Sequence, residues 1–152
     1  MNREIEFRGV PSITKDEIEY ADIPLKNGIV YGNYSDGCIL GPVIEVTDEY
    51  IAHKWWCSIV DGTLEQYIGL KDKNGNKIYE GNIIKSTEST GAWTTRSKLY
   101  EVIFNRSSAQ FQLQDLKDKR CLYSFFGGGP GSNILEVIGD IHNNPELLEA
   151  GK

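Results

Sequence analysis

The chain has 152 residues, 39% hydrophobic and 25% charged, with a formal net charge of −6, the make-up of one soluble domain that can bury a core without disulfides or metal. No run approaches the roughly 20 apolar residues that cross a bilayer, and the opening MNREIEFRGV carries charge where a secretory leader would be apolar. The expectation is a cytoplasmic protein with no membrane partner, and the acidity argues against a chain that coats nucleic acid nonspecifically, which needs many clustered cations.

EIEFRGV alternates, with Ile5 and Phe7 on one side and Glu4, Glu6 and Arg8 on the other, which predicts a first strand ended by Gly9 and Pro11. SITKDEIEYADIPLKN opens with a capping-type Thr14 and an acidic turn and then meets Pro24, so it allows one short helix or an irregular arm. GIVYGNYSDGCILGPVIEV is rich in β-branched and aromatic residues, and Asp36-Gly37 and Gly41-Pro42 carry the turn chemistry of strands that double back. EYIAHKWWCSIV continues the pattern.

The stretch GLKDKNGNKIYEGNIIK holds a tight turn at Asn74-Gly75, a pair that supplies positive φ angles at little steric cost. The adjacent Ile83 and Ile84 predict burial on both faces of a strand, or a bulge at Gly81. After the polar loop ESTGAWTTRS come KLYEVIFN and AQFQLQDL, joined by the hairpin-length RSSA. NILEVIGDI reads as a last strand, and NNPELLEA as a short helix with Asn144 as cap and Pro145 at its first position. The predicted class is mainly β with little helix: a small barrel of the Src-homology-3 type over residues 69–141, a β-rich part over residues 1–68, and a short C-terminal helix within residues 69–152.

Chemistry is sparse. Cys38, Cys57 and Cys121 are odd in number and far apart, and His53 and His142 are isolated, so the reading assigns no disulfide framework, metal or cofactor. His53 and Cys57 share a strand face but stand about 13 Å apart at the usual rise per residue, too far for a Cys–His couple, and no carboxylate pair is marked as acid and base. No catalytic residue is assigned. FFGGGPGS lacks the Gly-Lys-Ser/Thr ending of a phosphate loop and leads into a strand, so residues 127–131 read as a plain loop. The adjacent Trp55 and Trp56 must point to opposite faces of a strand, so at most one enters the core of a single sheet. They and Phe125 and Phe126 are the candidate interface residues. The middle third is basic, residues 71–121 holding 10 Lys/Arg against 6 Asp/Glu, and Lys71, Lys73, Lys77, Lys85, Arg96 and Lys98 are the candidate nucleic-acid contacts.

REIEFRG, GIVYG, VDGTLEQYIGLKDKNGNKIYEGNIIK and LEVIGDIHNNPELLE, in that order, resemble the YopX family of small proteins encoded by bacteriophages and prophages. The resemblance covers nearly the whole chain and implies a phage-related origin in the host cytoplasm, with no established activity. The expected function is a noncatalytic module that binds a host or phage protein; a nucleic-acid-binding accessory protein is the alternative. Self-association is a further expectation, from the tryptophan pair and from an arm, residues 10–27, whose Ile13, Ile18, Tyr20, Ile23 and Leu25 need cover.

Overall fold

The computed structural model describes residues 2–89, 95–125 and 134–150. The protein is mainly β, built of several antiparallel sheets, and the chain divides into two compact units, Met1–Tyr67 and Ile68–Lys152.

In chain order the first unit contains β1 (Phe7–Gly9), α1 (Lys15–Tyr20), β2 (Leu25–Lys26), β3 (Ile29–Ser35), β4 (Cys38–Leu40), β5 (Val43–Val46), β6 (Ile51–His53), β7 (Trp56–Ser58) and the start of β8 (Glu65–Lys71). Its sheet runs β7-β4-β3-β1-β8 with β2 against β3, and among the described residues β5 and β6 pair only with each other. Val30, Ile39 and Cys57 are fully buried in its core, together with Ile23, Trp55 and Ile59. The expected short helix forms as α1 because Thr14 and Glu17 make a reciprocal capping box, each side chain meeting the other residue's backbone N–H. Ile13 and Ile18 pack on the core beside the buried Ile23, so part of the arm's apolar surface is absorbed by its own unit. Tyr20 stays 94% exposed.

Two expectations for this unit change. The opening strand is only three residues long, and Arg8 is 3% exposed. Its cross-strand neighbours Tyr31 and Glu65 share its face, and the guanidinium is neutralised by Glu65, with Nη2 2.7 Å from Oε2. Alternation placed Arg8 correctly opposite Phe7 but could not tell that its face is buried. Gly41-Pro42, read as a reversal, is instead a break in a strand that continues straight on. Gly41 N–H donates to Trp55 O and Lys54 N–H to Pro42 O, so β4–β7 runs on into β5–β6. The glycine is required because a Cβ there would lie 2.5 Å from the Trp55 ring. The reversal comes later, where Thr47 Oγ1 accepts from the N–H groups of Glu49 and Tyr50.

The second unit holds the remainder of β8, β9 (Lys77–Tyr79), β10 (Asn82–Ser89), β11 (Thr95–Asn105), β12 (Gln110–Asp115), β13 (Leu122–Ser124), β14 (Leu135–Asp140) and α2 (Pro145–Ala150). A five-stranded sheet runs β13-β12-β11-β10-β14. It is open: among the described residues no ladder joins the edge strands β13 and β14, and the pairing does not confirm the barrel of the Src-homology-3 type expected over residues 69–141. Ile78, Ile84, Tyr100, Val102, Leu113, Phe125 and Leu135 form the core. Ile83 and Ile84 are both fully buried, and the register shift falls between them rather than at Gly81. Gly81 adopts φ 75°, a left-handed conformation that glycine takes at little steric cost. Much of the expected polar loop is strand, since β10 reaches Ser89 and β11 begins at Thr95. Pro145 opens α2 as predicted, but the Asn144 side chain turns back, its Oδ1 accepting from Asp140 N–H.

The turn at residues 72–76 is tied down by one carboxylate. Asp72 is 6% exposed; its Oδ1 accepts from Asn74 N–H at 2.9 Å and Asn76 N–H at 2.8 Å, and its Oδ2 from Val137 N–H at 2.9 Å on β14. Burial, the largest single influence, pushes its pKa up, but the hydrogen bonds from Val137, Asn76 and Asn74 together outweigh it and hold the carboxyl below its ordinary value. The conspicuous motif of the sequence is thereby a scaffold.

Candidate interaction surface of the first unit

Strand pairing puts Trp56 opposite Leu40, and Leu40 opposite Asn33. Directly opposed residues share a sheet face, so these three side chains form a row, and Tyr31, two residues before Asn33, stands on the same face. Next to that row opens a cleft of about 620 Å³. Its walls are the face itself (Tyr31, Gly32, Asn33, Leu40), the amino-terminal segment (Ile5, Glu6), the turn after α1 (Asp22, Pro24) and the neck of the ribbon (Gly41, Pro42, Lys54, Trp55). The volume is in the range of small-ligand and side-chain pockets. The lining mixes prolines and an indole with two carboxylates and one ammonium.

The tryptophan pair divides as expected. Trp55 is 7% exposed and belongs to the core, whereas Trp56 is 62% exposed. Beyond Trp56 the β5–β6 ribbon shows more apolar surface: Val43, Ile44, Val46, Tyr50 and Ile51 are all exposed, Ile44, Val46 and Ile51 by 61–68%. Only Trp56 of this set was singled out from sequence. The signal available was that two runs, VIEV and YIA, carry apolar residues without strict alternation, which periodicity alone reads as burial.

The other candidates separate. Phe125 is 5% exposed and sits in the core of the second unit, which removes it from any surface; Phe126 and the loop at residues 127–131 lie outside the described residues. The six cations do not share one face. Lys85 stands opposite Leu99 and Glu136, and Lys98 opposite Ser86, its neighbour in the alternation, so Lys85 and Lys98 project to opposite sides of the sheet. Lys73 pairs with Glu136 at 3.2 Å, and Arg96 faces Glu88 across the ladder. Lys98 Nζ lies 5.9 Å from the Tyr123 ring centroid. Lys71 and Lys77 are on β8 and β9.

Burial first, and the nearby Cys38 second, push the Cys57 thiol up, which lowers its thiolate fraction. His53 Nδ1–H donates to Gly41 O at 2.8 Å. Burial, then Tyr123, Asp115 and Glu88, push Tyr100 up to about 12, so it is a neutral core phenol near pH 7. Among the described residues no three His, Cys, Asp or Glu side chains are grouped to hold a metal ion, and no helix is long and apolar enough to cross a membrane.

Open antiparallel sheets carrying an exposed apolar ribbon beside a mixed cleft define the class, a small mainly β protein. The chain matches the YopX family, described as YopX protein, over residues 14–149 and belongs to it. Its fold is similar to that of the crystal structure of protein EF1440 from Enterococcus faecalis, at TM-score 0.51 and 19% identity, over 97% of this chain and 99% of that one. No curated protein matches the sequence.

Proposed function

We propose that the protein is a noncatalytic binding module whose partner is another protein, docked on the Trp56 face of the first unit. The observation that carries this reading is the 62% exposed indole of Trp56 in one row with Leu40 and Asn33, which line the cleft. Protein interfaces are anchored by aromatic side chains near pockets, with a polar rim, and Glu6, Asp22 and Lys54 supply the rim. The setting is a bacterial cytoplasm in which a phage or prophage gene product meets a host or phage protein. Affinity capture from bacterial cells with the wild-type protein and with Trp56→Ala tests it. A partner held by the first and lost by the second, at unchanged thermal midpoint, supports the reading; a partner retained by Trp56→Ala moves the docking site elsewhere. Titration with single- and double-stranded DNA and RNA at two salt concentrations checks the nucleic-acid alternative, which steep salt-dependent binding would install in its place.

A further inference from the structure

The β5–β6 ribbon has an edge that its own unit leaves open. Among the described residues β5 and β6 pair only with each other, so beyond the β4–β7 ladder that they continue the sheet narrows to two strands, whereas three or more strands with an apolar face make the stable arrangement. Edge strands are normally defended by proline, by charge or by a bulge. The single register shift here, between Val43 and Glu45, is on β5, and β6 (Ile51–His53) carries no proline and no Lys, Arg, Asp or Glu. The charges instead bracket the strand: Asp48 and Glu49 lie before it and Lys54 after it, with Tyr50 and Ile51 51% and 61% exposed between.

A strand laid antiparallel along this edge meets the bracket best if it carries a cation beside Asp48 and Glu49 and an anion beside Lys54. The edge itself, turned through a two-fold rotation, has that order, whereas a parallel copy would set the acidic ends together. We propose that β6 pairs antiparallel with β6 of a second copy of this chain around Ala52, giving a four-stranded sheet β5-β6-β6-β5. In this register Ala52 faces Ala52 on the axis, Ile51 meets the partner's His53, and Tyr50 meets the partner's Lys54, which lies diagonal to Asp48. The contact is isologous and closes on itself, so it stops at a dimer. It uses the outer edge of β6, and the same register brings the partner's Asp48 opposite Trp56, at the start of β7.

Sedimentation velocity from low to high micromolar concentration at low salt tests the pairing. The wild-type protein is expected to dimerise. Asp48→Lys and Lys54→Glu, each counted twice by symmetry, are expected to weaken the dimer about tenfold, and the double variant to recover it. A monomer at every concentration, a dimer indifferent to both reversals, or a double variant no better than the singles overturns the proposal. Ala52→Cys gives a second route: opposed residues across a ladder have Cβ atoms about 5 Å apart, so mild oxidation should link two chains through position 52, against a wild-type control for the native thiols. Absence of that link in concentrated, oxidised protein overturns it as well.

Discussion

Two turns in this protein use the same local device with opposite outcomes. At residues 72–76 the Asp72 carboxylate gathers the N–H groups of Asn74 and Asn76, and at residues 47–50 the Thr47 hydroxyl gathers those of Glu49 and Tyr50. The Asp72 turn is buried and also bonded to Val137, 65 positions away in sequence. The Thr47 turn is exposed and, among the described residues, bonded only within itself, at the tip of a ribbon that shows its apolar residues to solvent. A side-chain cap fixes a turn's conformation in either case; only a long-range tie makes the turn part of the core. The tied turn is scaffold, and the untied one is where surface is available for binding.

Breaking the tie should have the largest effect. Asp72→Ala removes a buried charged acceptor and strands the part-buried N–H of Val137, at an expected cost of about 3 kcal/mol in chemical denaturation; Thr47→Ala should cost under ~1 kcal/mol by the same measurement. Similar costs for the two would remove the distinction drawn between them. Next is Gly81→Val, which forces a β-branched residue to φ 75° and should cost roughly 1 kcal/mol or more; normal stability would mean the glycine conformation is not required.

The tie also has a pH signature. The folded pKa of Asp72 lies below its unfolded value, about 3.9 for an aspartate. Its contribution to stability is therefore fully present above the unfolded pKa and is lost as pH falls through the folded one. Asp72→Asn should flatten the acid limb of the stability curve relative to wild type; an unchanged acid limb would show that other carboxylates set it. At the small end, Ser86 Oγ is buried with no hydrogen-bond partner among the described residues. Ser86→Ala should be neutral or slightly stabilising in thermal unfolding, and a loss above ~1 kcal/mol would reveal a partner for that hydroxyl. Trp56→Ala, on the untied side, should change stability by less than ~0.5 kcal/mol, the usual bound for surface substitutions away from special features, while abolishing partner capture.

The candidate surface was only partly readable in advance. The adjacent tryptophans forced one indole outward, because side chains on a strand alternate, and that is the anchor of the proposed site. The cleft was not readable, since Ile5, Asp22, Leu40 and Lys54 come together only when four separate segments meet. Beside a glycine-rich loop, Phe125 reads equally as a plug at the barrel end or as part of a binding rim, and packing in one cluster with Ile84 and Leu135 decided for burial.

The sequence by itself determined what depends on neighbouring residues: the β class, the capping Thr14 before a short helix, the tight turn at Gly75 and the opposed faces of Trp55 and Trp56. These are local backbone and side-chain preferences, set within a few positions and therefore visible in one dimension. Tertiary structure alone decided which faces were covered. Arg8 is buried with Glu65, 57 positions away, neutralising it, Gly41-Pro42 runs straight with the Trp55 ring against the glycine, and among the described residues the five-stranded sheet is open, with no ladder between β13 and β14. Burial and pairing are set by contacts between distant segments, and no local pattern encodes which segment will arrive.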